Sequence, residues 1–419
     1  MTQAPPSPPP APAQPSGWGK VFTALRHRNF RLFFWGQLVS LIGTWMDKAA
    51  EGWLVYQLTG SKILLGVIAA AGTAPMIPFS FWGGSLADRL PKRSILVVTQ
   101  TCAMLLAFME AFLVWSHLVR PWQIVILSTL GGIVLAFDMP ARQAFAIEMT
   151  SREDLMNAIS LNSTIVNGAR LLGPSLAGII MARLGIAPCF LLDGVSFMAV
   201  IAGLLMMNPP KMTPAPHIGS PLDHALGGLK YVRQNRRVFI LLSLFSVVGI
   251  FGWSYSVLMP AYARDVLHVD AAGYGALMSA SGLGALIGAL VTARLGSAMP
   301  RRTAVLGGVW LFAWMLFLFS ITHVYALSLL FLALAGFGMM IFFSTSNTLV
   351  QTSVPDEMRG RVMGVWALIF GGMVPIGSLE AGALAHWVGT SAAIGFGAVV
   401  CAAAALVTWL NIRNRPSSQ

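Results

Sequence analysis

Asp47, Glu110 and Arg170 stand inside apolar runs, where an ionisable side chain is costly and usually marks a function or a partner. Counted along helices at about 1.5 Å per residue, they fall about 25, 24 and 22 Å from one membrane face, so they share a level. An Asp47–Arg170 ion pair is expected in that layer, with an aspartate that takes up a proton as substrate or conformation changes; a permanent structural salt bridge is the alternative. Lys48 and Glu51 have the i,i+3 spacing of a local pair near the surface. Asp138 and Arg142 form either an i,i+4 pair or a proton port. Glu110 reads as structural or lipid-facing, Asp193 as a local cap or pair, and Glu380 as the second half's candidate for attracting a cation. The seven histidines have no HExxH-like spacing, and Cys102, Cys189 and Cys401 have no CxxC spacing, so no metal site and no catalytic residue is expected. No GxxxxGK[ST] loop is present to hold ATP, and no cofactor is expected.

The elements that position these charges follow from composition. Of 419 residues 56% are hydrophobic and 10% charged, against roughly 25% charged in a soluble domain. That excludes a soluble enzyme with a polar shell. Twelve apolar segments can be marked, at 32–56, 62–87, 94–118, 122–145, 155–183, 187–207, 238–263, 271–296, 303–322, 325–349, 360–387 and 389–412. The expected organisation is a disordered Pro-rich tail over 1–17, a first six-helix bundle over 18–207, a linker over 208–237, a second bundle over 238–412 and a tail over 413–419. Residues 222–237 of the linker read as a surface helix with Lys230, Arg233, Arg236 and Arg237 toward lipid headgroups. With both termini in the cytoplasm, 21 of the 27 Lys and Arg fall on the inner side and four on the outer. The net charge of +12 is thereby a topology signal, and no nucleic-acid partner is expected. The halves echo each other: Asp154 and Glu357, like Gly168 and Gly371, lie 203 residues apart. Two parallel six-helix repeats are the pattern of a rocker-type transporter with a midplane site.

Several motifs then carry a family resemblance. Gly84-Ser-Leu-Ala-Asp88-Arg89-Leu-Pro-Lys92-Arg93 resembles the cytoplasmic loop signature of the major facilitator superfamily. Asn29-Phe-Arg-Leu-Phe-Phe-Trp-Gly-Gln37, Pro140-Ala-Arg-Gln-Ala-Phe145, Gly168…Gly173-Pro174…Gly178 and Pro355-Asp-Glu-Met-Arg-Gly-Arg361 are similar to the drug/proton antiporter branch that includes bacterial macrolide and siderophore exporters. The resemblance implies an all-α membrane fold of twelve transmembrane helices in two pseudo-symmetric bundles. It further implies a gate in which Asp88 and Arg89 lock the second span to the eleventh. Arg142, Arg359 and Arg361 would pair with Asp154, Asp356 and Glu357 when that gate shuts. Gly84 would permit close helix contact, and Gly168, Gly173, Pro174 and Gly178 would meet the eighth span, with its Gly273, Gly275, Gly282, Gly284 and Gly288, across the bundle interface. One departure is that 123–137 holds no Arg, where many antiporters of this kind carry one in the fourth span. Trp45, Trp366, Phe245, Phe342, Phe343 and 22 methionines suit an adaptable apolar lining.

The implied function is proton-coupled export of a hydrophobic or amphipathic compound by a monomer in the inner membrane, multi-pass, with cytoplasmic termini. The lipid bilayer, a small organic substrate and protons are its expected partners. A lysophospholipid flippase or an uptake carrier of the same fold is the alternative; a non-transporting sensor and a membrane-embedded enzyme are the alternatives of other classes.

Overall fold

The structure is a computed structural model that describes residues 23–149, 154–207, 221–295 and 300–413. The proline-rich leader, most of the linker before its helix, Glu153 and residues 414–419 lie outside the described residues. No strand occurs among the residues described.

The first half comprises α1 (Arg28–Thr59), α2 (Lys62–Ala71), α3 (Met76–Arg89), α4 (Lys92–Trp115), α5 (Pro121–Glu148), α6 (Leu155–Leu184) and α7 (Ala187–Met206). After α8 (Pro221–Gln234) come α9 (Arg236–Val247), a π-helical turn at Val248–Gly252, α10 (Tyr255–Asp265), α11 (Ala271–Leu295), α12 (Arg301–Ile321), α13 (Tyr325–Thr352), α14 (Asp356–Val388) and α15 (Thr390–Arg413). Eleven segments are long and apolar enough to cross a bilayer. The twelfth crossing is α1, whose 32 residues span about 48 Å but carry Asp47, Lys48 and Glu51. The second crossing is broken into α2 and α3 by the turn at 72–75, where Pro75 cannot donate to the ladder. The seventh is broken by the π turn, so α9, the turn and α10 together make one span.

Local chemistry sets the ends. Gly60 takes the left-handed conformation (φ 60°) that closes α1, and its N–H reaches the Tyr56 carbonyl. Ser61 then caps α2 by accepting from the Leu64 N–H at 3.2 Å, and Asn235 caps α9 through the Val238 N–H at 3.3 Å. Asp356 and Glu357 occupy the first turn of α14, where the helix dipole favours acid. Outward-facing Phe112, Trp115 and Trp387 are 61–83% exposed, a surface intolerable in water and suited to lipid.

Within the first half α1 packs on α6 and α7, and α4 on α5 and α7; within the second, α11 packs on α13, and α12 on α13 and α15. The halves meet mainly along α2 with α14 and α6 with α11. Both seams are made by small residues. A Cβ on Gly66 would strike the Ser378 carbonyl and Gly382, and one on Gly178 would come within 2.9 Å of the Ala271 carbonyl. Two expected contacts are corrected here. Nothing lies within 4 Å of a Cβ on Gly84, and it is Gly83 that packs against Ala136 and Phe137. Of the expected α11 glycines, Gly275 and Gly282 do face α6, whereas Gly284 and Gly288 pack on Ala333 and Phe337 of α13, inside the second half. Gly173 likewise packs within its own half, on Trp45 and Ile42, while Gly168 has open space.

Candidate functional site

Two polar clusters are buried in the first half, and a seam of contacts closes one end of the molecule. Gly43, Asp47 and Glu51 repeat every four residues along α1, a spacing that stacks them on one helix face. That face looks into the first bundle. A Cβ on Gly43 would overlap Asp193 Oδ1 and Ser196 Oγ of α7, so glycine is what admits the aspartate there. Asp47, Glu51 and Asp193 are 7%, 5% and 3% exposed. Glu110 of α4 faces Asp47, and Ser128 of α5 donates its hydroxyl to Glu51. Lys48 is the cation of this group: its ammonium lies 2.7 Å from Glu51 and 3.9 Å from Asp47. Asp47 Oδ1 is buried and receives no N–H or hydroxyl donor among the described residues; the hydrogen-bonding neighbour of Asp47 is the Glu110 carboxyl.

The expected Asp47–Arg170 pair is therefore corrected. Arg170 projects from α6 onto Trp45, with its guanidinium carbon 5.7 Å from that ring and 4.8 Å from the ring of Trp253. Trp45 is two residues from Asp47, about 200° around the helix, so the two charges lie on opposite sides of α1. One further expectation changes with it: Glu110 points into the carboxylate group. The Lys48–Glu51 pair forms at the expected spacing, with Lys48 half exposed and Glu51 buried against Ser128 of α5.

The second cluster lies toward the end from which α1 starts, called here the basic end. Asp138 is 3% exposed and fully met: Arg142 Nε donates at 2.7 Å and Nη2 at 2.5 Å to one oxygen, while Thr99 Oγ1 and Gln100 Nε2 each donate at 2.8 Å to the other. Arg142 also donates to Gln37 of α1. The i,i+4 pair thus ties three spans together.

The other predicted gate residues are dispersed. Asp88 and Arg89 are exposed and join no ion pair among the described residues. Lys92 pairs with Glu148 at 2.5 Å, and Arg93 donates to the Leu205 carbonyl at 2.7 Å, both within the first half. Asp154 receives His27 at 2.9 Å, Arg359 pairs with Asp356 in its own first turn, and Arg361 packs on Gly227 and Gly228 of α8. Glu357 is exposed at the start of α14. Glu380, in the far half of α14, is partly buried with no ion pair among the described residues.

Contacts between the halves favour the far end. Tyr56 donates to Asp265, Trp53 stacks on Tyr274 with centroids 5.3 Å apart, and Gly66, Gly178 and Gly382 let backbones touch. At mid-depth Ser279 donates to the Leu171 carbonyl at 2.8 Å. Toward the basic end, among the described residues, a Cβ on Gly84, Gly168, Gly360, Gly364 or Gly371 would meet nothing within 4 Å. Gly364, Leu368 and Gly371 leave one face of α14 uncovered. Of the expected lining residues, Phe245, Phe342 and Trp366 are core, with Phe245 stacked 3.8 Å from Trp366. The geometry is two helical bundles whose contacts among the described residues concentrate toward the far end, with a group of charged side chains buried in the first.

Comparison with known proteins gives the family and the fold. The profile of a family described as transmembrane secretion effector matches residues 20–418. The chain is 26% identical to the staphyloferrin A transporter of Staphylococcus aureus over 359 residues, covering 83% of this chain and 87% of that protein. It is also 26% identical to the multidrug efflux pump Tap of Mycolicibacterium fortuitum, covering 86% and 90%, and to the enterobactin exporter EntS of Shigella flexneri, covering 92% and 93%. Among solved structures it is similar in fold to a POT family transporter in complex with 5-aminolevulinic acid, with a TM-score of 0.74 at 13% identity, covering 92% of this chain and 96% of that one.

Proposed function

The chain belongs to the transmembrane secretion effector family of major facilitator transporters, and from that premise we propose that it exports an amphipathic organic compound across the inner membrane in exchange for protons. The basic end is the cytoplasmic end, on the strength of the Lys and Arg asymmetry. The form described takes its substrate from that side, a reading supported by the concentration of contacts between the halves at the far end. Export then requires the Gly66–Gly382 and Gly178–Gly275 seams to part and the basic ends of α3, α6 and α14 to close, an exchange of contacts between two rigid bundles.

The observation that carries proton coupling is a charge imbalance. Asp47, Glu51, Glu110 and Asp193 gather around one ammonium, Lys48. One cation balances one carboxylate in lipid, and like charges this close cannot all be ionised. The group therefore holds protons in number set by its surroundings, which is the property a proton-driven carrier uses. Asp47 is placed to exchange them, since it shares a hydrogen bond with the Glu110 carboxyl and its helix also meets the second half through Gly52 and Trp53.

Everted membrane vesicles containing the protein test this reading. With an acidic lumen, a fluorescent organic substrate from a mixed panel of dyes and macrolide conjugates should accumulate, and collapse of the pH gradient should release it. Accumulation that ignores the gradient would contradict proton coupling, and no accumulation of any panel member relative to empty vesicles would contradict export of this class.

A further inference from the structure

We infer that Arg170 is the docking point for an acidic group on the transported compound, which makes that compound an amphipathic organic anion, an assignment that rests on the transporter reading. Trp45 belongs to the first half and Trp253 to the second, so the guanidinium held between them, at 5.7 and 4.8 Å, sits at the seam of the two bundles. No carboxylate pairs with it among the described residues; those at its level stand on the opposite side of α1 with Lys48. A cation in this setting without a counter-ion is costly. Indole faces repay about 0.5–2 kcal/mol of that, and they leave the guanidinium's forked donors free for an anion of carboxylate shape.

The neighbourhood supplies the rest of a ligand site. From Trp253 an aromatic run continues into the second half: Phe343 lies 5.7 Å away, and Phe370 lies 6.0 Å from Phe343. Phe370 is 37% exposed beside the uncovered Gly371. An apolar ligand body lies along this run while its acid meets Arg170. The two ends of such a molecule then touch both bundles, which gives it different contacts in the two states of the passage, the condition for a ligand to drive a conformational change. The seam glycines flank the same point: a Cβ on Gly282 would come within 2.8 Å of the Arg170 carbonyl, so the helix bearing the cation is held directly against α11.

The test uses ligands that share a body and differ in charge. Full-length protein in phosphatidylcholine nanodiscs is titrated with naphthoate, naphthamide and naphthylmethylamine, with binding read by calorimetry. Naphthoate should bind at least about tenfold more tightly than naphthamide, with the amine weakest, and Arg170→Gln should bring naphthoate to the level of the amide. Equal binding of naphthoate and naphthamide to the wild type, no binding of naphthoate, or an undiminished preference in Arg170→Gln would overturn the assignment. If that variant does not fold, the wild-type ligand series decides alone. A lipid phosphate offers the same chemistry, so the titration is repeated in phosphatidylglycerol nanodiscs at high salt. A preference that persists assigns the site to a solute, and one that vanishes assigns it to the headgroup and overturns the substrate class. Naphthoate bound through Arg170 without transport of any compound in energised vesicles would remove the transporter reading and leave the anion site standing. Equal transport of a cationic dye by wild type and Arg170→Gln would do the reverse.

Discussion

Asp138 and Asp47 sit on the same three-helix seam and teach opposite lessons. One cluster uses Gln37, Gln100 and Asp138; the other uses Asp47, Glu110 and Ser128, each ten residues along α1, α4 or α5, which is about 15 Å. At the first, both oxygens of the carboxylate are met, and its one negative charge faces one guanidinium. At the second, carboxyl groups outnumber cations among the described residues, and Asp47 is met by another carboxyl, Glu110, with its cation 3.9 Å away. A completed ionic network in lipid fixes helices in one arrangement, because removing any member strands the others. An incomplete one has more than one proton count within reach. On the proposed proton coupling, the neighbouring clusters divide the work of holding the bundle together and of responding to the gradient.

The comparison breaks most readily at Arg142. Arg142→Met leaves Asp138 buried without its cation, and the loss should be about 3–5 kcal/mol. Thermal unfolding of the purified protein in detergent reads this as a large fall in midpoint; a wild-type midpoint would show that the network ties nothing. Gly178→Leu attacks the far-end seam, where a Cβ already comes within 2.9 Å of the Ala271 carbonyl. Overpacking of this kind costs about 1–3 kcal/mol. It should favour the form open at the far end, read as faster alkylation of an Ala272→Cys reporter by a membrane-impermeant reagent from outside. Tyr56→Phe removes one hydrogen bond to Asp265 across the same seam. A loss of about 1 kcal/mol should raise the labelling of a Ser378→Cys reporter roughly fivefold, and no change would mean the bond does not hold the end shut. Asp47→Asn is the counterpart of the Arg142 change and should move stability least, by about 1 kcal/mol or less, because it keeps the shape of a group that has no cation of its own within hydrogen-bonding distance.

Much of this was legible in the residues, and what was not has a geometric cause. Apolar runs and the Lys and Arg bias fix the number of crossings, because lipid tolerates little else than helices. The level of Asp47, Glu110 and Arg170 also follows from counting rise along each span. Counting gives depth, however, and not the direction around the helix. That is why Arg170 was matched to Asp47 when its neighbours are Trp45 and Trp253. The same single-step error separates Gly84 from Gly83, one residue and about 100° apart. A signal was present for the carboxylate group: Gly43, Asp47 and Glu51 repeat at four residues, which marks one face of α1 as polar and closely packed. Ser128 and Asp193 were out of reach, since nothing in the sequence sets which side of α5 or α7 meets α1. The gate pairs implied by the signature belong to the form shut at the basic end; in the form described Lys92, Arg93 and Asp154 pair inside the first half.

The central claim, that the carboxyl group around Lys48 couples protons to the passage, is tested most directly by Asp47→Asn in reconstituted vesicles. Gradient-driven accumulation of a transported dye and its downhill exchange are measured in the same preparation. The account predicts that accumulation falls at least about tenfold while exchange stays within about twofold of wild type, because the route remains and only its drive is lost. Accumulation at the wild-type level would contradict it.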